Sequence, residues 1–276
     1  MTKDCFRANI KSNQSVNFLS EENNMLKLGL TSVTFRSLGA DKIIEYCKKC
    51  GLSAIEWGSD VHVPSGDAAN AAEIAEKCKE AGIAIPSYGS YYTVGSGDDF
   101  SEYIACAKAL GASVIRVWGG HKSSADLTQA ERRVLIDDTK RICKAAQSEN
   151  IDIAFEYHNN SLTDNAESVL SVINDVGESN LGTYFQYAPW VSPEENCKAL
   201  TALLPYLKTV HIFNIDQSSE RFSIGEHGGA ELWKSFSEIL KSNNSDIYML
   251  FEFLKNESLE GLRRETEIMK SILKSI

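Results

Sequence analysis

Glu156, Gln186, His211 and Glu252 each close a short apolar run, IDIAFE, GTYFQ, KTVH and YMLFE, and they recur at intervals near one strand-plus-helix repeat. Two carboxylates, an imidazole and an amide oxygen suit one hard or borderline divalent cation, such as manganese, magnesium, cobalt or zinc, with positions left for water or substrate. A lone glutamate at a strand end is usually salt-bridged or solvated. Four ligand-capable side chains at four successive strand ends point instead to a shared polar site.

For the four to meet, their strands must open onto one face, as the strands of a (β/α)8 TIM barrel do. From residue 26 onward the chain alternates β-branched or aromatic runs with longer amphipathic segments, the pattern of βα units around a parallel sheet. Eight strands are expected, at 27–31, 53–57, 83–88, 113–118, 151–156, 181–186, 207–212 and 247–253, each followed by a helix. Gly51, Gly82 and Gly111 fall just past the first three helices, where a left-handed cap belongs. In the first helix Ile43, Ile44 and Cys47 share one side and Lys42, Glu45, Lys48 and Lys49 lie mostly on the other. Strand parity agrees with a barrel: Glu156 shares its side with Ala154, Glu252 with Leu250 and Glu56 with Ala54, while Ile153, Phe155, Met249, Phe251, Ile55 and Trp57 take the helix-facing side.

At 276 residues and with no Pro, Gly or Ser-rich linker, the chain reads as one barrel domain, 26–276, behind a polar extension, 1–25. The extension has no functional reading and is expected to pack on the barrel or on a neighbour. The formal charge of −10 and the lack of a long Lys/Arg run argue against nucleic acid or an anionic membrane as partner and favour a small polar ligand. Apolar runs are strand-length and the first 24 residues hold no apolar signal core, so a soluble, cytoplasmic protein is expected. Seven scattered cysteines fit a reducing compartment. The pair Cys47 and Cys50 closes a helix instead of opening one, which argues against a redox role. No dinucleotide or phosphate-loop fingerprint is present, so no nucleotide cofactor is expected.

The segments FEYHNN, YFQYAPW, TVHIFN and LFEF, with IEWGSDVHVP at 55–64 and IRVWGG at 115–120, resemble the xylose isomerase-like TIM barrels, the sugar-phosphate isomerase/epimerase superfamily, over residues 26 to 274. That resemblance implies one divalent metal held by Glu156, His211 and Glu252, with Gln186 standing where many members carry Asp; a His three residues later is also replaced, by Pro189. An amide in place of a carboxylate removes one ligand charge and predicts weaker metal binding. The implied chemistry is proton transfer next to a sugar carbonyl through an ene-diolate, with Glu156 and Glu252 as base and acid. Isomerase/epimerase action on a sugar or sugar phosphate is therefore the leading expectation. The alternatives are a dehydratase or lyase acting on a keto-sugar or inositol derivative, and a non-catalytic sugar-binding barrel.

Four further residues are candidates for substrate contact. Glu56 and His62 belong to the second strand end and its loop, and His158 follows Glu156 by two positions; His62 could equally pin its loop, and His158 could equally be a hydrogen-bonded loop histidine. Arg221 lies in a long connection, Phe213 to Gly229, that reads as a lid; its competing reading is an ion pair with Glu220 or Glu226.

Overall fold

Eight strands pair in chain order, all parallel, and the last closes on the first. This arrangement is seen in a computed structural model that describes residues 26–243 and 245–276. The expected packing of the extension lies outside the described residues. The elements alternate as β1 (Leu26–Thr31), α1 (Ala40–Cys50), β2 (Ala54–Gly58), α2 (Ala68–Ala81), β3 (Ser87–Thr93), α3 (Phe100–Leu110), β4 (Val114–Trp118) and α4 (Gln129–Gln147). The second half repeats the alternation as β5 (Asp152–Phe155), α5 (Ala166–Val176), β6 (Leu181–Gln186), α6 (Pro193–Leu203), β7 (Leu207–Ile212), α7 (Gly229–Lys241), β8 (Ile247–Phe251) and α8 (Leu259–Lys274). Among the described residues no helix is long and apolar enough to cross a membrane.

Local chemistry sets the element ends. Gly51, Gly82 and Gly111 cap α1, α2 and α3 in the left-handed conformation. Thr128 with Glu131, and Ser192 with Glu195, form capping boxes that start α4 and α6. The expected strands match to within a residue or two except β3. The apolar Ile83 and Ile85 drew the expectation to 83–88, but Pro86 offers no N–H, and the paired strand is the polar, glycine-containing SYGSYYT that follows.

Ile55, Trp57, Ile153, Phe155, Met249 and Phe251 join the main core beneath the helices. Inside the barrel, Val114, Ala154 and Tyr184 form a separate small cluster. Small residues make room there. A Cβ on Gly29 would sit 2.6 Å from Leu250 Cδ2 and 2.7 Å from the Ala54 carbonyl oxygen, so no larger side chain fits the lumen at that level. Because the Ala54 backbone cannot retreat, Gly29→Ala is expected to cost about 1–3 kcal/mol, read as a lower urea midpoint with an unchanged slope.

Candidate active site

The backbone N–H groups of Glu156 and Glu252, one residue beyond β5 and β8, still bond to the Val117 and Ile212 carbonyls at 3.0 and 2.9 Å. This extends the strand parity and turns both carboxylates into the mouth with His211 of β7. Ligand atoms of Glu156, His211 and Glu252 all lie within 4.8 Å of one another, and all three residues are buried. Gln186 of β6 pairs in register with His211 and is also buried. His211 Nδ1 lies 3.2 Å from Glu252 Oε2, and Nε2 lies 3.4 Å from Glu56 Oε1. These contacts are close enough for ion pairing but not aligned as hydrogen bonds. Both ring nitrogens, Glu252 Oε2 and Gln186 Oε1 remain buried without a hydrogen-bond partner. Leaving such a group unsatisfied costs about 1–3 kcal/mol, so unpartnered atoms on His211 and Glu252, two of the three clustered residues, mark a place built for something else. Two carboxylates, an imidazole and a neighbouring amide oxygen fit a divalent cation of the magnesium-to-zinc range.

Arg116 is the principal residue that sequence reasoning missed. It occupies a lumen position of β4 and is almost fully buried. Its Nη1 pairs with Glu156 Oε2, and its Nη2 donates to the Ser90 carbonyl at 3.2 Å. The guanidinium lies 5.3 Å from the centre of the Tyr91 ring and 5.5 Å from that of Trp118. The available signal was a lone cation inside VIRVW, on the side shared with Val114 and Trp118. Burial alone would depress its basicity, but Glu156, Glu56 and Glu252 together hold it firmly charged.

The same balance governs the other ionisable groups. Burial would lower the pKa of His211, yet Glu252 and then Glu56 outweigh it and push it up to about 10. Burial would raise that of Glu56, yet His211, Arg116 and the Tyr184 hydroxyl bring it down to about 2. Tyr184, also missed from sequence, donates its hydroxyl to Glu56 Oε2 at 2.6 Å, and Ser87 donates to the same oxygen at 2.7 Å. Glu56 is therefore engaged inside the barrel, whereas the sequence had offered it as a substrate contact.

Beside the cluster opens a cleft of about 340 Å³ whose lining includes His158, Gln186, Trp190, Phe213, Arg221 and Phe253. Two of the four candidates for substrate contact, His158 and Arg221, thus reach it. His158 Nδ1 lies 2.8 Å from the Asn159 carbonyl oxygen, and its ring stands against Trp118 at 4.9 Å. Arg221 lies over Phe253 and pairs with Glu257, not with Glu220 or Glu226; Glu226 instead binds Lys255 at 2.8 Å. The connection expected as a lid is internally braced. Asn214 Nδ2 donates to the Ser223 and Glu226 carbonyls, and the Ile224 N–H donates to Glu265 of α8.

His62, for which the sequence left loop pinning and substrate contact both open, makes its contacts within the protein. Its Nε2 lies 3.0 Å from the Leu38 carbonyl oxygen, and its ring packs edge-on against Trp57 on the helix side of β2. It pins the loop and does not line the cleft. Cys47 and Cys50 are both buried, and burial pushes their thiols up, as expected for inert side chains.

Residues 44–272 match the family described as xylose isomerase-like TIM barrel. A 3-dehydroshikimate dehydratase from Bacillus anthracis is 30% identical over 105 residues, 38% of this chain and 38% of that relative, so the alignment spans well under half of either. Among solved structures, the probable 3-DHS dehydratase of Bacillus anthracis superposes with a TM-score of 0.71 at 18% identity, over 88% of this chain and 98% of its own. The 3-keto-D-glucoside 4-epimerase of E. coli gives 0.72 at 15% identity, over 91% and 100%. At these identities the superpositions speak for the fold.

Two outcomes follow from the buried charges. Arg116→Met leaves Glu156 unpaired in the interior and is expected to cost about 3–5 kcal/mol in urea unfolding. In chelator-treated protein, His211 titrates near 10 when folded and near 6.5 when unfolded. Its contribution to stability is then complete below about pH 6.5 and lost as pH climbs toward 10. Glu56 has the opposite sign: its contribution is present above its unfolded value of about 4.3 and lost as pH falls. Metal-free stability should therefore peak between about pH 4.5 and 6.5; a thermal midpoint still rising at pH 9 would contradict these pairings.

Proposed function

The chain belongs to the xylose isomerase-like TIM barrel family, and from that premise we propose that it is a metal-dependent sugar isomerase or epimerase working by proton transfer beside a carbonyl. The observation that carries the reading is the buried meeting of Glu156, His211 and Glu252 within 4.8 Å, in which His211 Nδ1 and Glu252 Oε2 have no hydrogen-bond partner. These three residues, with Gln186 beside them, would hold one divalent cation. When bound, it supplies Lewis acidity toward a substrate carbonyl oxygen.

The chain's own groups account for the rest. Glu156 and Glu252 come from strand ends three apart around the barrel, so the two carboxylates would approach a bound sugar from different directions. Arg116 pairs with Glu156 Oε2 and would fix the orientation of the carboxylate that takes the proton next to the carbonyl. An ene-diolate results. Glu252 would take the proton of the adjacent substrate hydroxyl and deliver it to the opposite face of the same carbon, giving an epimer, or to the neighbouring carbon, giving an isomer, while the proton held by Glu156 passes to the oxygen left behind. Trp190, Phe213 and Phe253 wall the cleft and would pack against a bound sugar. Elimination of water can begin with the same proton removal. The 30% identity to a 3-dehydroshikimate dehydratase makes a dehydratase the second reading.

Calorimetric titration of manganese, cobalt, magnesium and zinc into chelator-treated protein tests the site. Saturable binding of one cation is expected, weakened at least about tenfold in Glu156→Gln and tightened in Gln186→Asp. Binding must displace a proton from His211, so affinity should rise with pH across the neutral range. No binding by the wild type would overturn the metal-enzyme reading in favour of a sugar-binding barrel. With the cation identified, ketoses incubated in deuterated water separate the two chemistries. Deuterium incorporation without loss of water supports isomerisation or epimerisation; a product lighter by one water supports the dehydratase.

A further inference from the structure

We propose that Glu56 is a positioning residue that stands behind His211 and fixes the imidazole with Nε2 turned to Glu56 and Nδ1 turned to Glu252 and the cation site. The inference rests on the metal site proposed above and assigns a role to a residue outside its ligand group.

The placement follows from contacts on both sides of the carboxylate. Glu56 is 3% exposed. Its Oε2 accepts from the Ser87 hydroxyl at 2.7 Å and from the Tyr184 hydroxyl at 2.6 Å. Its Oε1 lies 3.4 Å from His211 Nε2. The absence of a side chain at Gly89 allows this pose, because a Cβ there would come 2.9 Å from Oε1. Glu56 does not line the cleft. Two hydroxyls fix one oxygen, the backbone of β3 limits the other, and the only imidazole in contact is that of His211.

Tyr184 ties the pair together. Its hydroxyl holds Glu56, and its ring meets that of His211 edge-on, with centroids 5.2 Å apart and planes at 88°. The imidazole thus has one carboxylate at each nitrogen, and the two differ in kind. Glu252 Oε2, facing Nδ1, has no hydrogen-bond partner, whereas the carboxylate facing Nε2 is already anchored. An anchored carboxylate on the far nitrogen of a ligating histidine sets its tautomer and raises its basicity toward the metal. Glu56 has the position, the burial and the fixed charge to do this, while Glu252 remains available to the cation.

The test uses cobalt titration of the chelator-treated full chain, with ¹⁵N-histidine NMR of the zinc-loaded protein as a second readout. Glu56→Gln keeps the shape and removes the charge; Tyr184→Phe keeps both rings and removes one anchor. Cobalt affinity is expected to fall about 10- to 100-fold in Glu56→Gln and in the same direction, by less, in Tyr184→Phe. The wild-type spectrum should show His211 protonated at Nε2 alone. Wild-type affinity in a folded Glu56→Gln protein, or a proton on Nδ1, would overturn the assignment while leaving the metal site standing. Failure of the wild type to bind cobalt or zinc would overturn both. If Glu56→Gln does not fold, Tyr184→Phe and the wild-type tautomer decide the matter.

Discussion

Ionised groups taken out of water must neutralise one another, and the mouth of this barrel obeys that constraint at every position. Glu56, Glu156 and Glu252 are each nearly inaccessible, as is Arg116, and His211 is completely so. An isolated buried charge would cost several kcal/mol. Arg116 answers Glu156, and His211 stands between Glu252 and Glu56. The directions of the pKa shifts express the same arrangement: the bases are held up and Glu56 is held down against the pull of burial.

The barrel supplies the positions that make this compensation possible. Glu56, Arg116, Gln186 and His211 come from β2, β4, β6 and β7, and Glu156 and Glu252 from the residues just after β5 and β8. No single hairpin or loop could gather them. Glycines at 29 and 89 admit Leu250 and the Glu56 carboxyl into a lumen that would otherwise be overfilled. Stability and site geometry therefore share the same small residues. The braced loop after β7 adds a wall of fixed shape, because Asn214 and Glu265 satisfy its backbone from within the protein.

Much of this was legible in the chain. Glu156, Gln186, His211 and Glu252 each end an apolar run, and strand parity separates Ala154 and Leu250 from Phe155 and Phe251 without any structure. Parity gives a side, but it does not give register across strands. Arg116 meets Glu156 from 40 residues away and Tyr184 meets Glu56 from 128 away, distances at which sequence carries no pairing signal. β3 was misplaced for a related reason. Ser87 and Gly89 serve Glu56 and so replace the apolar residues by which a strand is usually recognised. His62 shows the converse, since loop composition cannot reveal that a ring turns back onto Trp57.

Gln186 is best understood through the same charge balance. With His211 neutral, three buried carboxylates less one guanidinium leave two negative charges, which a dication matches without help from position 186. A carboxylate there would attract the dication more strongly, by about 4 kcal/mol per unit of cation charge at roughly 4 Å and an effective dielectric constant near 20. It would also double, from one to two, the excess of negative charge that the metal-free mouth carries over Arg116 and a protonated His211. The amide gives up that attraction and retains a metal-free state in which imidazolium and guanidinium hold the carboxylates together. On the proposed reading, cation and proton would compete for a single nitrogen, His211 Nδ1, and either would answer the carboxylate of Glu252.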